Sequence, residues 1–327
     1  MINIGRKTSG ALVCASACAG VFLWSAMSMA QAPKPKHING AIELLEQGQP
    51  IYYDSPQRTG DAFAQGKHDA QTWADYITYD LETVPYDINR LTAYMQGLAA
   101  GGPTKTGHPT PAVFVVLPTR GTDEATVRAN SWMVEQILAT GVHGLFLPHA
   151  STAGAVRALV EAARYPNREQ GVGTRGLQEG RRGAHGAVSA SKIWGITPEE
   201  YTRRADVWPL DPNGEIMIGV KIEDKYGLAN LDEIVKVPGL SFGEGGPSDM
   251  GLSLGLERGD PRGQEIQDKI FAAAKAQHLA WLMSIGPGSG PDFEARLAES
   301  IKQGHLLGAT EKTAALGRKI TNRQPPY

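Results

Sequence analysis

Three observations predict that this 327-residue chain folds as one (β/α)8 barrel. Eight short apolar runs recur along it and mostly alternate with helical segments. Those runs are apolar at consecutive positions rather than at every second one, so both faces are buried, as in a parallel sheet covered by helices. What remains beyond residue 30 suits a single domain, since barrels of this kind commonly run to about 250 residues or more.

The elements follow in order. Residues 31–38 read as an exposed leader, after which Asn39 can cap a short helix over 40–47 that Gly48 ends. Strands are expected at 51–53, 76–79, 112–117, 144–147, 216–222, 240–242, 279–285 and 305–308. Helices are clearest at 125–140 after Asp123, at 153–164 after Thr152, and at 264–278 after Pro261. In the last, Ile266, Ile270, Ala273, Ala274 and Trp281 fall near one face, a stripe of the kind that packs a core. Residues 167–213, rich in Gly and Arg, are expected to form a long loop with a short helix at 198–206 rather than a separate domain. The barrel domain spans 39–327, and no internal repeat is evident.

The first thirty residues have a different character. Arg6 and Lys7 precede an apolar run from residue 11 to about 26, and small residues follow through Ser28, Met29 and Ala30. This is the layout of a secretory signal peptide cleaved after Ala30, and the run is short and rich in Ala and Ser for a membrane span. A periplasmic or secreted location is the expectation. Both cysteines, Cys14 and Cys18, lie in that segment, so a processed protein has no disulfides, no thiolate metal site and no cysteine nucleophile. Thirty-two basic and 34 acidic residues give a formal charge of −2, with no polybasic patch to suggest a nucleic acid partner.

Functional groups of such barrels come from the C-terminal ends of the strands. Reading those ends in order gives Asp54, Asp80 and Glu82, Arg120, His149, Glu223, the turn Gly246-Pro247-Ser248-Asp249, and the glycine-rich loop 286–290. Glu223 and Asp249 stand out, because two acids at the ends of successive parallel strands point into one pocket. Hard oxygen ligands so placed suit Mg²⁺ or Mn²⁺, with Co²⁺ also compatible. The 286–290 loop lacks the residues of a nucleotide motif and reads as a tight turn.

The stretch from Val220 to Gly255, with Glu223 and the Gly246-Pro247-Ser248-Asp249-Met250 turn, resembles the HpcH/HpaI aldolase/citrate lyase family. The resemblance implies a phosphoenolpyruvate/pyruvate-type barrel in which Glu223 and Asp249 hold a divalent metal. It also implies that the turn at 246–249 binds a substrate carboxylate through backbone N–H groups, and that the protein is a homo-oligomer, a trimer or hexamer. The activity implied is carbon–carbon cleavage of a hydroxy-oxo acid through an enolate that the ion stabilises, releasing pyruvate or a similar 2-oxo acid. Asp80 and Glu82 match the family's Asp-x-Glu-His element and would orient the site, but Thr83 stands in place of its His. The family's Pro-x-Val-Arg strand reads Pro111-Ala-Val-Phe114 here, so Phe replaces the Arg that supports the enolate.

Arg120 is a displaced equivalent of that Arg or a solvated loop residue. His149, in Leu147-Pro148-His149, is a replacement base, a metal ligand, or a structural residue. Arg164-Tyr165-Pro166 and Thr174-Arg175-Gly176 resemble elements that close over the site in relatives, and the Arg181-Arg182 pair is a candidate for an anionic substrate. Two other functions stay open at this point. The same metal site can serve a hydrolase, hydratase or decarboxylase, and an exported protein can bind a carboxylate there without turnover.

Overall fold

The computed structural model describes residues 36–56, 59–285, 288–304 and 306–327. The expected signal peptide at 1–30, most of the leader, and Gly286 and Pro287 of the glycine-rich loop lie outside the described residues. The strands are β1 Ile51–Asp54, β2 Tyr76–Asp80, β3 Ala112–Val116, β4 Gly144–Leu147 and β5 Val207–Trp208, then β6 Ile216–Lys221, β7 Phe242–Glu244, β8 Ala280–Ser284 and β9 Leu306–Gly308. All pair in parallel in the order β4-β3-β2-β1-β9-β8-β7-β6-β5, and β4 also pairs with β6. That last pairing, Gly144↔Met217 through Leu147↔Val220, closes the sheet into an eight-stranded barrel. The two-residue β5 lies outside the ring, hung on the start of β6. The expected (β/α)8 class therefore holds, and β5 is an addition that no apolar run of the chain announces.

Helices fill the connections: α1 Gly40–Glu46, α2 Ala62–Asp69, α3 Ile88–Gly101, α4 Glu124–Ala129, α5 Ser131–Ala139, α6 Ala153–Ala163 and α7 Ala187–Trp194. They continue with α8 Pro198–Arg204, α9 Lys225–Ala229, α10 Leu231–Ile234, α11 Pro247–Leu254, α12 Pro261–Ala276, α13 Pro291–Gln303 and α14 Glu311–Ile320. The helix expected at 125–140 is two, broken at Asn130. Trp281 belongs to β8 and meets α12 through the ring of Phe271, 5.6 Å away.

Alternation along each strand divides the core in two. On β6, Ile216, Ile218 and Val220 face the helices, whereas Met217 faces the lumen with Tyr76, Phe114, Phe146 and Phe242. The lumen is packed by rings: Phe114 stacks on Phe242 at 5.6 Å and meets Tyr76 in a tilted contact at 4.6 Å. A side chain on Gly219 would enter the Phe242 ring, which is why that strand carries glycine there.

Helix α1 closes the lower end, its Ala41 and Ile42 packing into the lumen core. Asn39 caps it as expected, accepting from the Ala41 N–H at 3.1 Å. The leader is not exposed throughout, because His37 and Ile38 are buried. Fully buried Glu215 accepts from the N–H groups of Ile38 and Asn39, both at 3.0 Å, and pairs with Arg204 at 3.1 Å. His37, its ring 3.3 Å from the same carboxylate, is raised in pKa despite its burial by Glu215 and Glu46.

The excursion at 167–213 leads from the end of α6 to the start of β6, so it belongs to the N-terminal end of the barrel. Arg164 and Asp206, both fully buried, lock it with two bonds of 2.6 and 3.0 Å. Buried Arg182 donates to the Tyr201 hydroxyl at 2.7 Å and lies over the rings of Tyr165 and Tyr201. Within this chain, then, Arg164 and Arg182 hold the excursion together and do not reach the mouth where the strand-end acids gather.

Candidate metal centre at the barrel mouth

Glu223 lies two residues beyond β6, buried to 3 % exposure. Its Oε1 accepts the backbone N–H of His149 at 2.8 Å. His149 follows β4, the strand that closes the barrel against β6, so barrel closure is what brings the two together. That N–H is aimed by a left-handed backbone at His149, with φ 49°, a conformation that a non-glycine residue holds at a cost of order 1–3 kcal/mol. The His149 ring then turns back over the mouth: Nε2 lies 3.7 Å from Glu223 Oε1 and 3.3 Å from Glu82 Oε1. On its other edge Nδ1 stands 3.9 Å from Asp224 Oδ2, an oxygen that accepts the Ser151 hydroxyl at 3.0 Å.

Glu82 is aimed by the turn that ends β2. Asp80 Oδ1 accepts the N–H groups of Glu82 at 2.7 Å and Thr83 at 3.2 Å, and its other oxygen accepts the Thr83 hydroxyl. Asp80 thus folds the turn and orients Glu82. The Thr83 hydroxyl is engaged in the same turn, so the residue that stands in the family's His position serves structure.

The donor atoms of Glu82, His149 and Glu223 lie within 4.8 Å of one another, and theirs is the group among the described residues that could hold a metal ion. Two carboxylates and an imidazole, partly buried and arranged around one point, suit a divalent transition ion such as Mn²⁺ or Co²⁺; Mg²⁺ prefers oxygen alone. Asp249 stands outside this group, exposed in the first turn of α11 with Pro247 and Ser248. Gly246 joins the two acids' segments. It has φ +46°, and a Cβ there would lie 2.6 Å from Glu223 Oε2 and against Glu223 Cβ. Only glycine allows the α11 turn to close on Glu223.

The mouth holds two further charged groups that sequence reasoning missed. Lys221 ends β6 with its Nζ 3.1 Å from Glu82 Oε2 and 5.5 Å from the Phe146 ring. Glu244 ends β7 opposite Lys221. Burial, reinforced by Glu223, Glu82 and Asp249 and opposed by Lys221, pushes the Glu244 carboxyl up to about 7. Glu223 is also raised, again chiefly by burial, against the pull of Lys221 and the His149 N–H. For Lys221, burial lowers the pKa but Glu223, Glu244 and Glu82 outweigh it, so its ammonium is held charged. Strand parity would have found both residues, once β6 and β7 had their true ends.

Phe114 does not border the centre. It lies two residues before Val116, the register partner of Asp80, and is buried in the ring stack of the lumen. Arg120 is exposed and lines a cavity of about 380 Å³ with Thr122, His149, Ser151, Asp224 and Tyr226. His149 is common to that cavity and to the metal-capable group.

Comparison with known proteins agrees with this geometry. The family model for HpcH/HpaI aldolase/citrate lyase matches residues 118–313. A hydroxypyruvate/pyruvate aldolase of Deinococcus radiodurans is 32% identical over 256 residues, covering 76% of this chain and 79% of that protein. A 2-keto-3-deoxy-L-rhamnonate aldolase of Klebsiella pneumoniae subsp. pneumoniae is 28% identical over 252 residues, 75% of this chain and 79% of that one. In fold, the chain is similar to the crystal structure of an HpcH/HpaI family protein from Burkholderia cenocepacia J2315, with a TM-score of 0.62 at 20% identity over 87% of this chain and 97% of that one. A second solved structure, an HpcH/HpaI aldolase from Desulfitobacterium hafniense DCB-2, gives 0.58 at the same identity and coverage. With the acids, the turn and the barrel in place and the family model spanning more than half its length, the chain belongs to the HpcH/HpaI aldolase/citrate lyase family.

Proposed function

We propose that the protein is a divalent-metal-dependent carbon–carbon lyase that cleaves a 4-hydroxy-2-oxo acid to pyruvate, or a related 2-oxo acid, and an aldehyde. The observation that carries this reading is the convergence of Glu82, His149 and Glu223 on one point at the barrel mouth. These three would hold the ion, with Asp249 adding a carboxylate from α11, and Mn²⁺ or Co²⁺ fits the mixed donor set better than Mg²⁺. A bound divalent cation would supply a Lewis acid for the carboxylate and keto oxygens of the substrate and for the enolate that cleavage leaves.

The protein's own groups account for the rest. The backbone N–H groups of Ser248 and Asp249, in the open first turn of α11, face the substrate carboxylate. Glu244, its carboxyl near 7, can take the proton of the C4 hydroxyl and return one to C3 at neutral pH. His149 serves as a ligand in this scheme because Nε2 already faces both carboxylates. Arg120 borders the cavity of about 380 Å³ that would receive the aldehyde half.

The N-terminal layout of Arg6, Lys7, the apolar run and Ala30 supports export to the periplasm or beyond, which N-terminal sequencing of the mature protein tests. Exposed Tyr226 and Leu252, on the contacting helices α9 and α11, favour a homo-oligomer, tested by native mass.

The function is tested by following exchange of pyruvate methyl protons in deuterated water by NMR. Exchange that requires Mn²⁺ and disappears in Glu223→Ala supports the lyase. Tight Mn²⁺ binding without exchange would favour a carboxylate-binding role instead.

A further inference from the structure

We propose that Lys221 is the cation that meets the enolate oxygen of the substrate, taking from β6 the task for which β3 offers no donor. The proposal rests on the lyase reading above and deepens it.

Alternation along β6 sets the direction of this side chain. Val220 faces the helices and Met217 the lumen, so Lys221, an even number of residues from Met217, points inward at the level of the mouth. There its Nζ contacts Glu82 Oε2 at 3.1 Å, on the far oxygen from the one that faces His149. Glu82 therefore bridges the ammonium and the metal-capable group, and the two positive centres share one carboxylate. Among the described residues, Lys221 is the cation that forms an ion pair with this group other than His149 itself.

The lysine also has donors to spare. An ammonium carries three donors; one serves Glu82, and the Phe146 ring lies 5.5 Å from Nζ. Phe114, on β3, is buried among the rings of the lumen and offers no donor. Arg120 is exposed and lines the neighbouring cavity of about 380 Å³.

The chemistry asks for such a group. When the C3–C4 bond breaks, its electron pair forms the C2–C3 double bond and the C2 oxygen becomes anionic, while the C4 hydroxyl gives up its proton and becomes the aldehyde. Protonation at C3 then restores the oxo acid, so the overall reaction needs no other reactant. Lys221 keeps its three protons throughout and contributes a fixed charged donor where negative charge develops.

Oxalate, a planar dianion shaped like the enolate of pyruvate, is the probe. Its affinity for the Mn²⁺-loaded protein is measured by calorimetry for the wild type, Lys221→Met and Lys221→Arg, after the Mn²⁺ affinity of each has been measured separately. We expect oxalate to bind Lys221→Met at least tenfold more weakly and Lys221→Arg to recover part of that loss. Mn²⁺ itself should bind Lys221→Met as tightly as the wild type or more so, because a nearby positive charge has gone. Oxalate affinity within twofold of wild type in Lys221→Met, or no oxalate binding by the Mn²⁺-loaded wild type, overturns the proposal. Should Lys221→Met fail to fold, wild-type protein labelled with ¹⁵N at lysine side chains and loaded with Mg²⁺ gives the answer: oxalate must shift one buried ammonium resonance, and an unchanged spectrum refutes the assignment. Pyruvate exchange by the wild type reports separately on the lyase reading, so failure of one does not mimic failure of the other.

Discussion

Replacing Glu244 with Gln should make the protein more stable at pH 8 and less active. The half-buried carboxyl stands at about 7 rather than the usual 4.5, because desolvation and the nearby Glu223, Glu82 and Asp249 raise it and only Lys221 offsets them. At about 1.36 kcal/mol per pH unit, that gap corresponds to a free energy on the order of 3 kcal/mol. The folded carboxyl holds its proton more tightly than the unfolded one, so folding takes up a proton between pH 4.5 and 7. The stability this group contributes is complete below pH 4.5 and is lost as pH rises through 7. Glutamine has no such dependence. Urea unfolding of both proteins in a chelating buffer, from pH 4 to pH 8, should show the variant gaining about 3 kcal/mol on the wild type across that range. Pyruvate proton exchange by the variant should fall at least a hundredfold, roughly the share that acid–base catalysis commonly supplies. A stability difference that does not change with pH would refute the assignment of a strained carboxyl. An unchanged exchange rate would refute its acid–base role.

Gly246→Ala should weaken Mn²⁺ binding at least tenfold, since the new methyl group meets the Glu223 carboxylate at a left-handed position; calorimetry measures it, and unaltered affinity would mean that the turn can retreat. Asp206→Ala leaves the Arg164 guanidinium buried and unpaired and should cost about 3–5 kcal/mol in urea unfolding, with Mn²⁺ affinity unchanged in the folded protein. Thr83→Val removes the hydroxyl that fastens Asp80, so Glu82 loses its fixed aim, and Mn²⁺ affinity should fall about tenfold while urea stability changes little.

Much of this architecture is legible in the chain. The apolar runs mark all eight barrel strands to within about two residues, because buried strands must be continuous in Val, Ile, Leu and Phe. Glu223 announces itself by following such a run, and Asn39, Asp123 and Thr152 announce helix starts by their capping side chains. What escaped depends on closure. That β4 pairs with β6 is a fact of the ring, and it alone puts the His149 N–H on Glu223. The positive φ at His149 has no sequence signal comparable to a glycine. Glu244 went unnoticed because β7 runs two residues further than its hydrophobic pattern, carrying a carboxylate into the mouth. Lys221 carries no motif, and only alternation from Met217 gives its direction. The excursion at 167–213 could have been placed from order alone: a segment between a helix and the next strand lies at the bottom of a parallel barrel, which assigns Arg164 and Arg182 to structure.

In the proposed enzyme Glu82, His149 and Glu223 together hold one divalent ion. Pulsed electron paramagnetic resonance on the Mn²⁺-loaded protein tests it most directly, by detecting a nitrogen nucleus bound to the ion. The wild type should show a ¹⁴N coupling that vanishes in His149→Ala, with Mn²⁺ binding lost in Glu223→Ala. A spectrum with oxygen ligands alone, or a nitrogen coupling that persists without His149, would contradict it.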